Sequence, residues 1–259
     1  MDTIYVEDVI RDHSRVNAIR DRYPKAVVIP CSRYGEVFNP ASQNFRLQKK
    51  RPALILAKKH GRAVLPTPPE YTIGRSENFY FSHMLNCLYD CRYCFLQGMY
   101  RSANYVYFIN FEEFETAIDE IRTDVEAPCF FSGYDCDSLV MEHLTGFAEH
   151  FLPFFAERPD SWLELRTKSL QTRILENTDP LPNVIAAFTL SPDTIAREVE
   201  CGAPPFERRL GRVKTLAKQG WPIGLRLDPL LPWPGFVELY REMIDDIFRA
   251  IDPEAVHSV

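Results

Sequence analysis

The sequence predicts an α/β fold: a partial (β/α)6, TIM-like barrel over residues 73–259, preceded by a small basic α/β extension over residues 1–72. Three observations lead there. From residue 78 onward, short β-like runs alternate with amphipathic helix-like runs, the pattern of repeated βα units around a parallel sheet. Polar residues stand where those runs end, and active sites on βα barrels collect at the carboxyl ends of strands. The length of 259 residues is enough to bury a core of ordinary size.

The elements follow in order. Strand-like runs occupy residues 79–82, 128–132, 162–167, 184–190 and 222–227. Between the first two, Phe111, Phe114, Ile118, Ile121 and Val125 recur at helical spacing, with Asn110 placed to cap the helix they predict. Further helices are predicted over 139–156, 206–218 and 236–250, with Gly220 stopping the second of these. Residues 255–259 begin a sixth strand.

Three cysteines spaced Cys87-x-x-x-Cys91-x-x-Cys94 carry the clearest chemistry. Thiolates at this spacing in one loop can hold three irons of a 4Fe-4S cube and leave the fourth iron open to a substrate or cofactor. A structural zinc site would want a fourth ligand from a second Cys-x-x-Cys or a His pair, and none follows at a suitable distance. The segment is polar, carrying Asn86, Asp90 and Arg92, so it does not read as a core strand. The remaining strand ends carry Gly133-Tyr134-Asp135-Cys136-Asp137, then Lys168, then Thr189 and Ser191, then Arg226 and Asp228. Taken singly, Lys168 also fits a surface lysine, Asp228 a cap, and Cys136 a small buried residue packed beneath the site.

Composition narrows the classes. No run of eighteen apolar residues and no basic-then-apolar start is present, so neither a membrane span nor a signal peptide is predicted. Seven cysteines, an odd number, suit a reducing cytoplasm better than a disulfide framework. The net charge of −6 is uneven: residues 1–72 hold 13 Lys and Arg against 7 Asp and Glu. Arg46, Lys49, Lys50, Arg51, Lys58, Lys59 and Arg62 concentrate the basic share. Such a patch suits the phosphates of nucleic acid and equally suits a solvated surface.

The cysteine loop, Cys91-Arg92-Tyr93-Cys94-Phe95-Leu96-Gln97, together with 105–110, His143-Leu144-Thr145, Thr167-Lys168, Phe188-Thr189-Leu190-Ser191, Glu207-Arg208-Arg209-Leu210 and Asp228-Pro229, resembles the spore photoproduct lyases of the radical S-adenosylmethionine superfamily. The resemblance covers roughly residues 70–259. It implies a 4Fe-4S cluster on Cys87, Cys91 and Cys94, with S-adenosylmethionine on the open iron. It further implies reductive cleavage to a 5′-deoxyadenosyl radical and light-independent repair of a methylene-bridged thymine dimer in DNA. An electron donor such as flavodoxin or ferredoxin is implied as a partner, and no membrane. By matched position Lys168, Thr189 and the 133–137 loop with Asp137 would line the S-adenosylmethionine pocket, along with Ser191, Arg226 and Asp228. Tyr93 would lie beside the adenine or on the radical path.

Two positions depart from the family's pattern. Its hydrogen-donating cysteine falls at Tyr134, whereas Cys136 stands where serine is usual, and the tyrosine after the last cluster cysteine is Phe95. Tyr134 and Cys136 are both candidates to return the hydrogen. Members of the family usually continue past the position of Val259, so the sequence reads as a shortened form or a natural fragment. Two other readings stay open: radical chemistry on another nucleobase or a small molecule, and a DNA-binding protein whose cluster is structural.

Overall fold

The structure is a computed structural model that describes residues 1–38, 43–74 and 77–259. Its strands are β1 (Thr3–Glu7), β2 (Val27–Cys31), β3 (Leu54–Ala57), β4 (Val64–Pro66), β5 (Asn78–Phe81), β6 (Met84–Leu85) and β7 (Asp90–Cys91). They continue as β8 (Tyr105–Phe108), β9 (Cys129–Phe131), β10 (Trp162–Thr167), β11 (Val184–Thr189), β12 (Glu200–Cys201), β13 (Ile223–Arg226) and β14 (Val256–Ser258). The larger sheet runs β14-β13-β11-β10-β9-β5-β4. Every neighbouring pair in it is parallel except β4 with β5. The six strands predicted from sequence are β5, β9, β10, β11, β13 and β14, and the sheet stays open, as a partial barrel requires.

Burial explains why these runs are strands. All six residues of β11, Val-Ile-Ala-Ala-Phe-Thr, are buried, the continuous apolar pattern of a parallel strand covered on both faces. Close approach inside the curve demands small residues: a Cβ added at Gly224 would meet the Ala187 Cβ at 2.9 Å and the Arg226 guanidinium at 3.0 Å. Within that interior Arg226 donates to the buried Glu164 carboxylate, at 3.2 Å from Nε and 2.5 Å from Nη2. Arg166 joins the same carboxylate at 2.9 Å. Burial opposes ionisation of Glu164, but the two arginines outweigh it and hold the carboxyl below its usual value.

A second sheet runs β2-β1-β3-β8-β6, so strands from both sides of residue 72 share it. The antiparallel β4–β5 pair also joins the two segments. The buried Glu7 closes the end of β1 by accepting from the backbone N–H of Tyr34 at 2.6 Å and of Lys58 at 3.0 Å. The basic residues of this region do not form one free patch. Lys58 pairs with Glu113 at 2.6 Å, Lys49 with Asp90 at 3.8 Å and Arg51 with Asp2 at 3.8 Å, while Arg46, Lys50 and Arg62 are exposed.

The helices largely match their periodicity: Phe111–Asp124, Phe206–Gln219 and Phe236–Ala250, with Gly220 at φ 101° ending the second. Two details differ. Asn110 stands at the N-cap but makes no capping bond; its Oδ1 accepts from Lys59 N–H at 2.7 Å and its amide donates to Lys59 O at 3.2 Å, tying the helix to the end of β3. The helix predicted over 139–156 is two, Glu142–Thr145 and Phe147–Ala156. Gly146, left-handed at φ 57°, turns the chain between them. The second packs Phe147, Phe151 and Phe155 into the core. Among the described residues no helix is long and apolar enough to cross a membrane.

Candidate active site

The loops after β5, β9, β10, β11 and β13 converge on one cavity of about 720 Å³, at the mouth where parallel βα barrels hold their chemistry. Cys87, Cys91, Cys94, Tyr93, Tyr134, Cys136, Asp137, Lys168, Thr189, Arg226 and Asp228 all line it. Ser191 does not; it is buried behind Tyr93 and donates to Glu200 Oε1 at 3.1 Å.

The cysteine loop is held from three directions. Asn86, at φ 71°, a backbone state that Asn tolerates better than most residues, donates its amide to the carbonyls of Ser102 and Asn104, both at 2.7 Å. Lys49 donates to Cys87 O at 3.4 Å. From the far side of the sequence, β12 pairs antiparallel with β7, Glu200 opposite Cys91, and Arg92 N–H donates to Val199 O at 2.7 Å. Inside the loop Gln97 donates to Cys91 O at 2.7 Å.

Glu200 also organises a buried polar network that sequence reading missed. Its Oε1 accepts the Tyr93 hydroxyl at 2.5 Å, and its Oε2 accepts from Arg209, whose guanidinium also donates to Thr189 O at 2.8 Å. Arg209 is fully buried and Glu200 nearly so. Burial acts against the Glu200 charge, yet Arg209 and Lys168 prevail and hold its pKa below the usual 4.5. Burial and the Glu200 charge together push the Tyr93 phenol far up, so the phenol keeps its proton.

The other predicted residues divide into those turned to the cavity and those engaged in structure. Lys168 Nζ stands 5.6 Å from the Tyr93 ring centre, and among the described residues no carboxylate lies within ion-pair distance of it. Asp137 is spent on its own loop: Oδ1 accepts from Thr167 Oγ1 at 2.6 Å and from the N–H groups of Leu139 and Val140, and Oδ2 from Lys168 N–H at 2.7 Å. Arg226 is committed to Glu164 and to Ser258, whose Oγ lies 2.9 Å away. Asp228 is exposed at the lip, 4.0 Å from Arg166. Gly133 admits the loop to this position, because a Cβ there would meet Arg166 O at 2.8 Å.

Tyr134 and Cys136 take different places. Cys136 is buried, its Sγ 3.9 Å from His83 Nδ1 and 3.9 Å from Ser132 O. Desolvation lowers the His83 pKa to about 3, so the ring is neutral, and burial pushes the Cys136 thiol well up; sulfur therefore keeps its hydrogen. Tyr134 instead stacks on Tyr80, ring centres 4.3 Å apart, with Tyr71 and Phe95 at 6.5 and 6.0 Å.

The cysteine set suits a cluster better than one ion. All seven cysteines are free, and three of the loop's thiols face the same cavity. Among the described residues no three His, Cys, Asp or Glu groups are placed to hold a single metal ion. A cube presents a separate iron to each thiolate, so its ligands need no common point. Burial raises Cys91 to about 11, with Lys168 pulling the other way; iron binding would displace the proton.

Fold and site define an open, parallel βα barrel with a cysteine loop and a lysine at its carboxyl-end mouth. The chain belongs to the spore photoproduct lyase family: the model of that family, "Spore photoproduct lyase", matches residues 75–259. A spore photoproduct lyase of Bacillus subtilis (strain 168) is 23% identical over 176 residues, which are 67% of this chain and 52% of that protein. The chain thus spans about half the length of the curated relative it matches. A solved double mutant of spore photoproduct lyase with bound AdoMet and dinucleoside spore photoproduct superposes with a TM-score of 0.84 at 16% identity, covering 97% of this chain and 74% of that one. A spore photoproduct lyase complexed with dinucleoside spore photoproduct gives 0.82 at 16% identity, with the same coverage of both chains. At these identities the superpositions establish the fold.

Proposed function

We propose that this chain is a radical S-adenosylmethionine enzyme that repairs a thymine-dimer lesion in DNA, as a carbon–carbon lyase. The observation that carries the reading is one cavity lined by Cys87, Cys91, Cys94, Lys168 and Cys136, in a chain of the spore photoproduct lyase family. Cys87, Cys91 and Cys94 would hold a 4Fe-4S cluster. When bound, cluster and S-adenosylmethionine supply the carbon radical that takes a hydrogen from the lesion.

The protein's own groups do the rest. Lys168, with no carboxylate partner among the described residues, holds the methionine carboxylate by a charge-assisted hydrogen bond. Tyr93, fixed through its hydroxyl by Glu200, offers its ring to the adenine, and Thr189 closes the same wall. Asp137 and Gly133 keep the 133–137 loop in place. Cys136 returns the hydrogen: its S–H bond breaks as a C–H bond forms on the thymine radical, and the thiyl radical left on sulfur is returned to the thiol by one electron from the donor and a proton. Tyr134, engaged in ring stacking, is the weaker candidate for this step. Ser191, Arg226 and Asp228 support the pocket rather than touch the cofactor. A low-potential donor such as flavodoxin or ferredoxin supplies the electron, and the free thiols suit a reducing cytoplasm.

The test is anaerobic incubation of reconstituted protein with reductant, S-adenosylmethionine and dinucleotide spore photoproduct. Release of two thymidines is expected, with Cys136→Ala losing more product than Tyr134→Phe while both still form deoxyadenosine. Deoxyadenosine without thymidine would turn the reading to another nucleobase or a small molecule. DNA binding with no deoxyadenosine would leave a binding protein with a structural cluster.

A further inference from the structure

Three rings line the mouth of the cavity and a fourth, Tyr80, stacks on one of them, each from a separate segment. Tyr80 comes from β5, Tyr134 from the loop after β9, Phe95 from the cysteine loop and Tyr71 from the segment ahead of β5. Tyr80 and Tyr134 lie stacked at 4.3 Å and 26°. Tyr71 approaches Tyr134 edge-on at 6.5 Å and 77°, and Phe95 approaches it tilted at 6.0 Å and 60°.

Two of these rings are left open to solvent. Tyr71 is 51% exposed and Phe95 55%, although each already touches an aromatic neighbour that could have drawn it inward. Exposed large rings gathered at a cavity mouth mark a binding surface. A flat π-system covers such rings best, by offset stacking or edge contact. Lys168 is given to the cofactor and Arg166 is paired with Glu164 at 2.9 Å; in a chain read as acting on DNA, the flat ligand that reaches this cavity mouth is a nucleobase.

We infer that Tyr71, Tyr80, Phe95 and Tyr134 form a stacking platform for an unpaired nucleobase of DNA, and that Tyr134 serves this platform through its ring face rather than its hydroxyl. The inference rests on the DNA-directed reading above and adds to it. Base stacking on aromatic side chains tolerates sequence and needs a base swung out of its duplex. The platform therefore receives a base at the cavity entrance, beside the cysteine loop that carries Phe95.

Fluorescence anisotropy with a labelled single-stranded thymidine decamer, on reconstituted protein without S-adenosylmethionine, tests this. Tyr71→Leu and Phe95→Leu, both at exposed positions that burden folding little, should each weaken binding about tenfold. Tyr134→Leu should do the same, whereas Tyr134→Phe, which keeps the ring, should stay within about twofold. An abasic decamer of equal charge should bind all variants alike. Equal affinity of Tyr71→Leu, Phe95→Leu and the parent chain for the thymidine decamer would overturn the platform. A Tyr134→Phe loss as large as that of Tyr134→Leu would assign the role to the hydroxyl and overturn the ring-face assignment. Deoxyadenosine release by the parent chain is scored separately, so failure of the radical reading and failure of the platform give different results.

Discussion

Behind one wall of the cavity Ser191, Glu200 and Arg209 are withdrawn from solvent and joined by hydrogen bonds to Tyr93, which lines it. On the opposite lip Tyr71, Tyr80, Phe95 and Tyr134 meet through their rings, and two of them are more than half exposed. A buried, hydrogen-bonded network fixes a geometry, because breaking one of its bonds in a low-dielectric interior is costly. A set of rings left in water keeps its surface available for a ligand. The same cavity thus has a wall built to hold still and a lip built to receive.

The largest effect should come from the cysteine loop that this wall supports. Cys91→Ala is expected to abolish the brown thiolate-to-iron absorption of anaerobically purified protein, since two remaining thiolates hold a cube poorly; iron and sulfide analysis reads the outcome. A colourless parent protein that contains zinc would end the cluster reading. Next, Arg209→Met should cost about 3–5 kcal/mol in urea unfolding, because it strands the buried Glu200 carboxylate. If Arg209→Met cost no more than an exposed substitution, the rigid wall would be a misreading.

Lys168→Ala should weaken S-adenosylmethionine binding by ~1.5–3 kcal/mol, the range for a hydrogen bond to a charged group, as read by equilibrium dialysis. An unchanged affinity would remove Lys168 from the pocket. The smallest effect is a change of slope with pH. Glu200 is held below its usual 4.5, so the stability it contributes is complete above that value and is lost as pH falls through its lower folded value. Glu200→Gln should flatten that acid limb in urea titrations, leaving the parts due to Glu164, Glu112, Asp119 and Asp160, which are depressed in the same direction.

The contrast between wall and lip also marks what could be seen in the sequence. Strands β5, β9, β10, β11 and β13 announced themselves by apolar runs between helical periodicities, and the residues at their ends followed from barrel geometry. Strand β8 did not: Tyr-Val-Tyr-Phe is buried throughout, so it lacks the alternation of a half-exposed strand, and it pairs outside the barrel sheet, with Leu54 of β3 opposite Tyr105. Glu200 carries no motif, Arg209 enters only within the Glu207-Arg208-Arg209-Leu210 run of the family resemblance, and Glu200 is 107 positions from the hydroxyl it accepts; only the folded chain brings them together. His83 likewise gives no signal until burial places it beside Cys136. Gly146 could have been read as a break in the helix over 139–156, since a glycine there permits the left-handed turn the structure contains.

The pairing of β12 with β7 gives the cysteine loop a schedule as well as a position. Ribosomes add roughly 5–20 residues per second, so the chain needs about 5–20 s to pass from Tyr93 to Glu200, which lie 107 residues apart. During that interval Cys91 has been made but the strand that aligns opposite it has not. The three thiols thus exist well before the strand that sets their register. Delivery of iron and sulfide therefore best follows, rather than accompanies, synthesis of the barrel's second half.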